Sequence, residues 1–276
     1  MKIHCLGTAG YHPSETRHTS GYYVEEVGLL LDAGSGTFRM LPLLKDRTEL
    51  DIVLSHAHLD HVFGLSFLLG IRLSSNLRHI RVHGQSQKLE TIRTHLFDQD
   101  LFPISPEFEW MSIDDSIEPN KLATTIEREQ GRVASPPSPL TIAGADVRCV
   151  SLPHPGGSIG YRFDWPEASL AYITDTTADL QQAYVHTIRD VDLLLHECNF
   201  ADKHAKFAID TGHSNTTPVL EVFRASRARK LLISHLSPYS DDPDSIDLAN
   251  AILSFPDIPQ ETVTIAEDRM QIEFGT

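Results

Sequence analysis

SHAHLDH, residues 55–61, places three histidines and one aspartate in seven positions, directly after the apolar run Ile52 to Leu54. A short run of branched aliphatic side chains reads as a buried strand. In an extended segment, residues two apart project to the same side, so His56 and His58 are able to hold one ion between them. Asp60 and His61 fall where the chain turns into the following helix, aimed at a second ion. Imidazole and carboxylate donors together suit zinc, with manganese or iron as alternatives. Four donors do not complete two ions. The pattern therefore demands more histidines, and a bridging carboxylate, from elsewhere in the chain.

Candidates stand at the ends of other apolar runs. Gly28 to Leu31 runs into Asp32, Val147 to Leu152 leads to His154, and Leu170 to Ile173 leads to Thr174 and Asp175. Val191 to Leu195 is followed by His196 and Glu197, and Lys230 to Ile233 by Ser234 and His235. Open sheets gather their ligand sites at strand ends. Segments of helical spacing alternate with these runs: 62–69, 85–98 (with Leu89, Ile92 and Leu96 on one side), 217–229 and 244–254. Pro218 suits the first turn of the third. The pattern is that of a mixed α/β chain. We expect one domain, 1–276, built of two similar halves that divide near 131–145, around the Pro/Ser-rich stretch GRVASPPSPL. Residues 102–132 carry few motifs, and an edge hairpin, a lid and a dimer contact stay open for them.

Composition narrows the field. Of 276 residues, 41% are apolar and 22% charged, as in ordinary globular proteins. No apolar run reaches the length of a membrane span, and MKIHCLGTAG lacks the cationic-then-apolar pattern of a secretory signal. Cys5, Cys149 and Cys198 are odd in number and widely spaced, which argues against a disulfide framework and for a cytoplasmic location. The net charge of −15 disfavours polyanions, whose binding rests on clustered Lys and Arg.

In order, HAHLDH, His154 in HPGG, Asp175 in YITDT and His235 in LLISHLSP resemble the metallo-β-lactamase superfamily. The likeness runs from LGTAG and LLLDAG to the final histidine. It implies an α/β fold: a four-layer αββα sandwich, two mixed sheets with helices on the outer faces. It also implies two divalent metal ions. His56, His58 and His154 would hold the first, Asp60, His61 and His235 the second, and Asp175 would bridge both. Asp32 would support the metal loop.

HECNF (196–200) and TGHSNT (211–216) resemble segments of the ribonuclease Z-like branch, in which Glu197 and His213 would pair near a scissile phosphate. A carboxylate beside an imidazole favours the imidazolium. That cation can stabilise a phosphorane or protonate a leaving alkoxide. Cys198 and Asn199 depart from the Ala and Thr of that branch. Its tRNA-processing members carry a long basic arm between the third histidine motif and the bridging aspartate, whereas only 20 residues separate His154 from Asp175.

The expectation is a dinuclear metal-dependent hydrolase, a phosphodiesterase for a small phosphodiester or nucleotide. Asp60, Glu197 and His213 would be its catalytic groups. Arg17, in SETRHTSG, is weighed as a phosphate contact against an exposed loop charge. Rival readings are a tRNA 3′-end endonuclease acting on RNA, a lactone or thioester hydrolase, and a non-catalytic scaffold. A homodimer rests on the resemblance alone.

Overall fold

The computed structural model describes residues 1–119, 138–240 and 242–276. Among them, strands β1 (Lys2–Gly7), β2 (Gly21–Val24), β3 (Leu29–Leu31), β4 (Glu49–Val53), β5 (His79–Gly84) and β6 (Phe108–Ser112) form one sheet. β1, β2 and β3 pair antiparallel, and β3 to β6 pair parallel. A second sheet collects β7 (Ile117–Glu118), β8 (Leu140–Ile142), β9 (Ala145–Leu152), β10 (Ser158–Asp164), β11 (Ser169–Ile173), β12 (Leu193–Glu197), β13 (Lys230–Ser234) and β14 (Val263–Ile265). The last strand, β15 (Gln271–Glu273), returns to the first sheet beside β1.

Alternation along the strands assigns the layers. Leu29, Leu31 and Val53 face Leu170, Tyr172, Leu193, Leu195 and Leu232 in a core between the sheets. Leu30, Leu50, Ile52, Ile80 and Val82 point the other way, onto Met40, Val62, Leu65, Leu68 and Leu89. Ala171, Ile173, Leu194, Leu231 and Ile233 meet Tyr184, Val219, Val222, Phe223 and Ile252 on the far side. Helix, sheet, sheet, helix is the four-layer sandwich. A strand buried on both faces needs apolar residues at every position, which is why these runs are continuous. Each aliphatic side chain so buried contributes about 1.5–3 kcal/mol.

The helices depart from their sequence outlines. The segment after the histidine cluster breaks into a turn of helix at Leu59–Val62, a 3-10 stretch at Phe63–Phe67 and a helix at Leu68–Leu73. Gly64 explains the break: its N–H donates to Ala33 O at 2.7 Å, and a Cβ there would lie 2.2 Å from Gly34 O. Residues 85–98 are α-helical at Ser86–Thr91 and then π-helical at Ile92–Leu96. The helix expected at 217–229 runs Thr216–Ser226 and stops where Arg227 turns left-handed at φ 55°. In 244–254 only Leu248–Ala251 is α-helical, because Asp244 acts as an outside cap, accepting from the Leu248 and Ala249 N–H groups at 2.6 and 2.9 Å.

Residues 108–118 supply a parallel edge strand to one sheet and the short β7 to the other, so the chain crosses between sheets at 113–116, ahead of 131–145. Part of the 102–132 stretch, and most of GRVASPPSPL, lies outside the described residues. All three cysteines are free and buried. No helix among the described residues is long and apolar enough to cross a membrane.

Candidate metal centre

The donors sit where parallel strands end and the chain turns sharply. Asp32, Asp175 and His235 directly follow β3, β11 and β13 or lie two residues beyond them, and all three are left-handed, at φ 52°, 50° and 55°. Such backbone conformations cost energy in non-glycine residues and cluster at functional sites.

Two groups of donor atoms result, His56, His58, His154 and Asp175 in one and Asp60, His61 and His235 in the other, with His213 completing a third that shares Asp175 and His235. Asp175 serves both. Its Oδ2 lies 3.5 Å from His56 Nε2 and 3.3 Å from His154 Nε2. Its Oδ1 lies 3.2 Å from both His61 Nε2 and His235 Nε2. Asp60 Oδ2 stands 3.3 Å from His61 Nε2, and His58 Nδ1 lies 3.4 Å from His154 Nε2.

Proton accounting tests whether a cation fits. Ser55 Oγ has one proton and donates it to Asp32 Oδ2 at 2.6 Å, so it accepts from His56 Nδ1–H at 2.9 Å. His56 Nε2 is then a bare lone pair, buried and without a hydrogen-bond partner. His61 Nδ1–H donates to Asp32 at 2.7 Å and His154 Nδ1–H to Gly212 O at 3.0 Å, which turns both Nε2 atoms toward the other donors. His61 Nε2 faces His235 Nε2 at 3.3 Å. Donors 2.0–2.2 Å from a tetrahedral ion lie roughly 3.3–3.6 Å from one another. The spacing is that of ligands around cations.

Charge agrees. Burial opposes protonating His61, yet Asp175, Asp60 and Asp32 raise its pKa well above the ordinary histidine value. Burial and the His61 charge push His56 well below it. Three carboxylates thus hold positive charge in a space where few protons fit. Asp32 is the hub: fully buried, it also accepts from the Ser55 N–H at 2.7 Å and from Tyr172 OH at 2.6 Å. Partners of this kind fix the tautomer and orientation of metal-ligating histidines.

Glu197 and His213 adjoin the cluster. Glu197 is buried and accepts from the Thr176 N–H at 2.6 Å and the Ser214 N–H at 3.2 Å. His213 Nδ1–H reaches its Oε1 at 3.2 Å. The His213 ring lies 5.1 Å from that of His154 and 5.3 Å from that of His235, alongside both groups of donors. Burial opposes charging His213, but the adjacent Glu197 carboxylate lifts its pKa to about 9.

Arg17 does not join this set. Its Nη1 donates to Thr8 Oγ1 at 2.7 Å and to Ala266 O at 2.5 Å, so the guanidinium braces a loop in place of a phosphate contact. Sequence reasoning also passed over several contributors. Lys88 brings a cation to the rim, donating to Gly156 O at 2.7 Å, where a Cβ on residue 156 would lie 3.6 Å from His58 Nε2. The Tyr11 N–H holds Asp60 Oδ2 at 2.8 Å. Tyr172 was findable: in YITDT, strand alternation sends it inward, toward LLLDAG.

Comparison with known proteins agrees with this geometry. Residues 28–236 match the family model described as "Beta-lactamase superfamily domain". The chain is 28% identical over 307 aligned residues to a protein named ribonuclease Z from Archaeoglobus fulgidus, covering 99% of this chain and 97% of the relative. In fold it is similar to the short form of human tRNase Z (TM-score 0.69, 22% identity, all of both chains). It is also similar to the metallo-beta-lactamase fold protein YhfI from Bacillus subtilis (TM-score 0.73, 19% identity, 98% of each chain). The chain belongs to the metallo-β-lactamase superfamily and is a ribonuclease Z-like, metal-dependent hydrolase of that fold.

Proposed function

We propose that the protein is a dinuclear phosphodiesterase for small nucleotide-type phosphodiesters, with zinc as the first candidate metal and manganese or iron as alternatives. The observation that carries this reading is the His213–Glu197 pair set beside two carboxylate-bridged groups of donors. His56, His58 and His154 would hold one ion, Asp60, His61 and His235 the other, and Asp175 both. Ions held there acidify water and offset charge on phosphoryl oxygens. Asp60 and Asp175 orient the nucleophile by accepting its hydrogen bonds. Glu197 keeps His213 charged and aimed, and the His213 imidazolium donates to the phosphoryl oxygen or the departing alkoxide.

Two observations support a small substrate. The residues between His154 and Asp175 form the β10–β11 hairpin, paired up to Asp164 with Ser169, which leaves only a tight turn at 165–168 where an arm would extend. The net charge of −15 opposes a polyanion. The relatives' name supports the second reading, tRNA 3′-end cleavage. Metal-loaded protein assayed on bis(p-nitrophenyl) phosphate, a dinucleotide, a lactone panel and a precursor tRNA separates these. Turnover of the first two with none on tRNA or lactones is expected. Preference for precursor tRNA at moderate salt overturns the small-substrate reading.

A further inference from the structure

We propose that Tyr11, His12 and Tyr239 form a nucleobase subsite beside the metal centre, stacking the base of a substrate whose phosphate lies at His213. This rests on the phosphodiesterase reading and names the part of the substrate that the donors leave unread.

The first observation is backbone strain. Tyr11 has φ 65°, a left-handed conformation that a bulky residue rarely adopts. The loop is pinned in it by the second group of donors. The Tyr11 N–H donates to Asp60 Oδ2 at 2.8 Å, and Gly10 packs so closely on His235 that a Cβ would lie 2.3 Å from its Cε1. Gly10 N–H also donates to Leu236 O at 3.0 Å. Glycine at position 11 would relieve the strain, yet a tyrosine stands there.

The second is exposure. Burial would repay the strain, but Tyr11 is 70% exposed and Tyr239, four residues past His235, is 76% exposed. Their ring centroids lie 6.5 Å apart with a 41° tilt, and the His12 ring sits 5.1 Å from each. Three rings converge in the open, on segments tied to two of the donors.

Charge chooses the occupant. The metal centre and His213 account for the phosphate, while the acidic chain and the internally engaged Arg17 leave the rest of a nucleotide to uncharged contacts. Stacking of a base on aromatic side chains is uncharged and changes affinity by roughly 5- to 150-fold per base. A second copy of the chain is the competing occupant.

The test uses full-length, metal-loaded protein and the variants Tyr11→Ala, Tyr239→Ala and Tyr11→Phe, with metal content checked in each. Calorimetry compares AMP with ribose 5-phosphate. AMP is expected to bind the wild type at least fivefold tighter, each alanine variant to lose most of that difference, and Tyr11→Phe to keep it. In parallel, kcat/KM is measured for thymidine 5′-(p-nitrophenyl phosphate) and methyl p-nitrophenyl phosphate, and the alanine variants should erode the ratio in favour of the nucleotide. Equal binding of AMP and ribose 5-phosphate by the wild type, or a preference that survives both alanine variants, overturns the subsite. Loss of self-association in sedimentation, with AMP binding intact, assigns the patch to a second copy and also overturns it. Base-dependent binding that vanishes in the variants, with neither ester hydrolysed, sinks the phosphodiesterase reading and leaves the subsite standing.

Discussion

The two ends of the first sheet both gather histidines and acids, and they use them in opposite ways. Toward the N-terminal end of β4, a cavity of about 1100 Å³ is lined by Glu25, Lys45 and Arg47 and, along β4 and β5, by Asp51, Arg81 and His83. There each carboxylate has its own donor. Arg81 binds Asp51 through two hydrogen bonds of 2.8 and 2.9 Å, and His83 adds a third at 2.7 Å. Glu25 is paired with His4 and Lys45. At the other end, ring nitrogens face ring nitrogens and carboxylates across 3.2–3.5 Å, while His56, His61 and His154 spend their other ring nitrogens on Ser55, Asp32 and Gly212. The cavity is a satisfied network, and the crowded end is satisfied only when positive charge enters it. Composition does not separate a salt-bridge network from a metal centre; the direction of the lone pairs does.

The largest break in this contrast should come from the bridge. Asp175→Ala should lower kcat/KM by roughly a thousandfold or more, about 4 kcal/mol of transition-state stabilisation, and elemental analysis should find both ions depleted. Full metal content and turnover in that variant would remove Asp175 from the site.

Glu197→Gln should act through His213 without emptying the metal centre. A loss of about 10²- to 10³-fold is expected on alkyl phosphodiesters, in the range of general acid catalysis. The loss should be much smaller on p-nitrophenyl esters, whose leaving group needs no proton. Equal losses on both would make the pair a positioning device only.

Asp32→Asn should cost metal affinity about 10- to 100-fold, as removal of a hydrogen-bond partner of a metal ligand typically does. Tyr172→Phe should cost less, since Ser55 and His61 remain on Asp32. Titration against a chelator measures both, and unchanged affinity in both variants would leave the Asp32 hub without a role.

The smallest effect, and the one that separates the two ends, is Asp51→Asn. Burial alone would raise the Asp51 pKa, but hydrogen bonds from Arg81 and His83 outweigh it and bring it to about 2. The folded value lies below the unfolded value of about 3.9. The ionised carboxylate therefore stabilises the fold above pH ~4, by roughly 2 kcal/mol, and this increment drains away as pH falls from about 4 toward 2. Urea unfolding of wild type and variant should differ by that amount at pH 7 and converge in acid, with metal content unchanged. Loss of metal from Asp51→Asn would show that the two ends are coupled.

Much of the centre could be read from the chain before folding, because strand runs and strand-end donors are local features. A buried run of aliphatic residues followed by His or Asp identifies a strand and the polar residue that leaves it, and such runs precede His56, His154, Asp175 and His235. What distance along the chain hides is which atoms meet. His58 and His154 are 96 residues apart, and Tyr172 reaches Asp32 across 140. Only the packing of the two sheets decides that Asp175 offers one oxygen to each group of donors and that Nδ1 of His61 is spent on Asp32. The same packing turns Arg17 onto Ala266 and lifts Tyr11 into solvent beside Asp60. Hydrophobic patterning fixes which face of a strand is buried. Ångström-scale placement of a lone pair depends on hydrogen bonds contributed by distant segments, and these exist only once the core has closed.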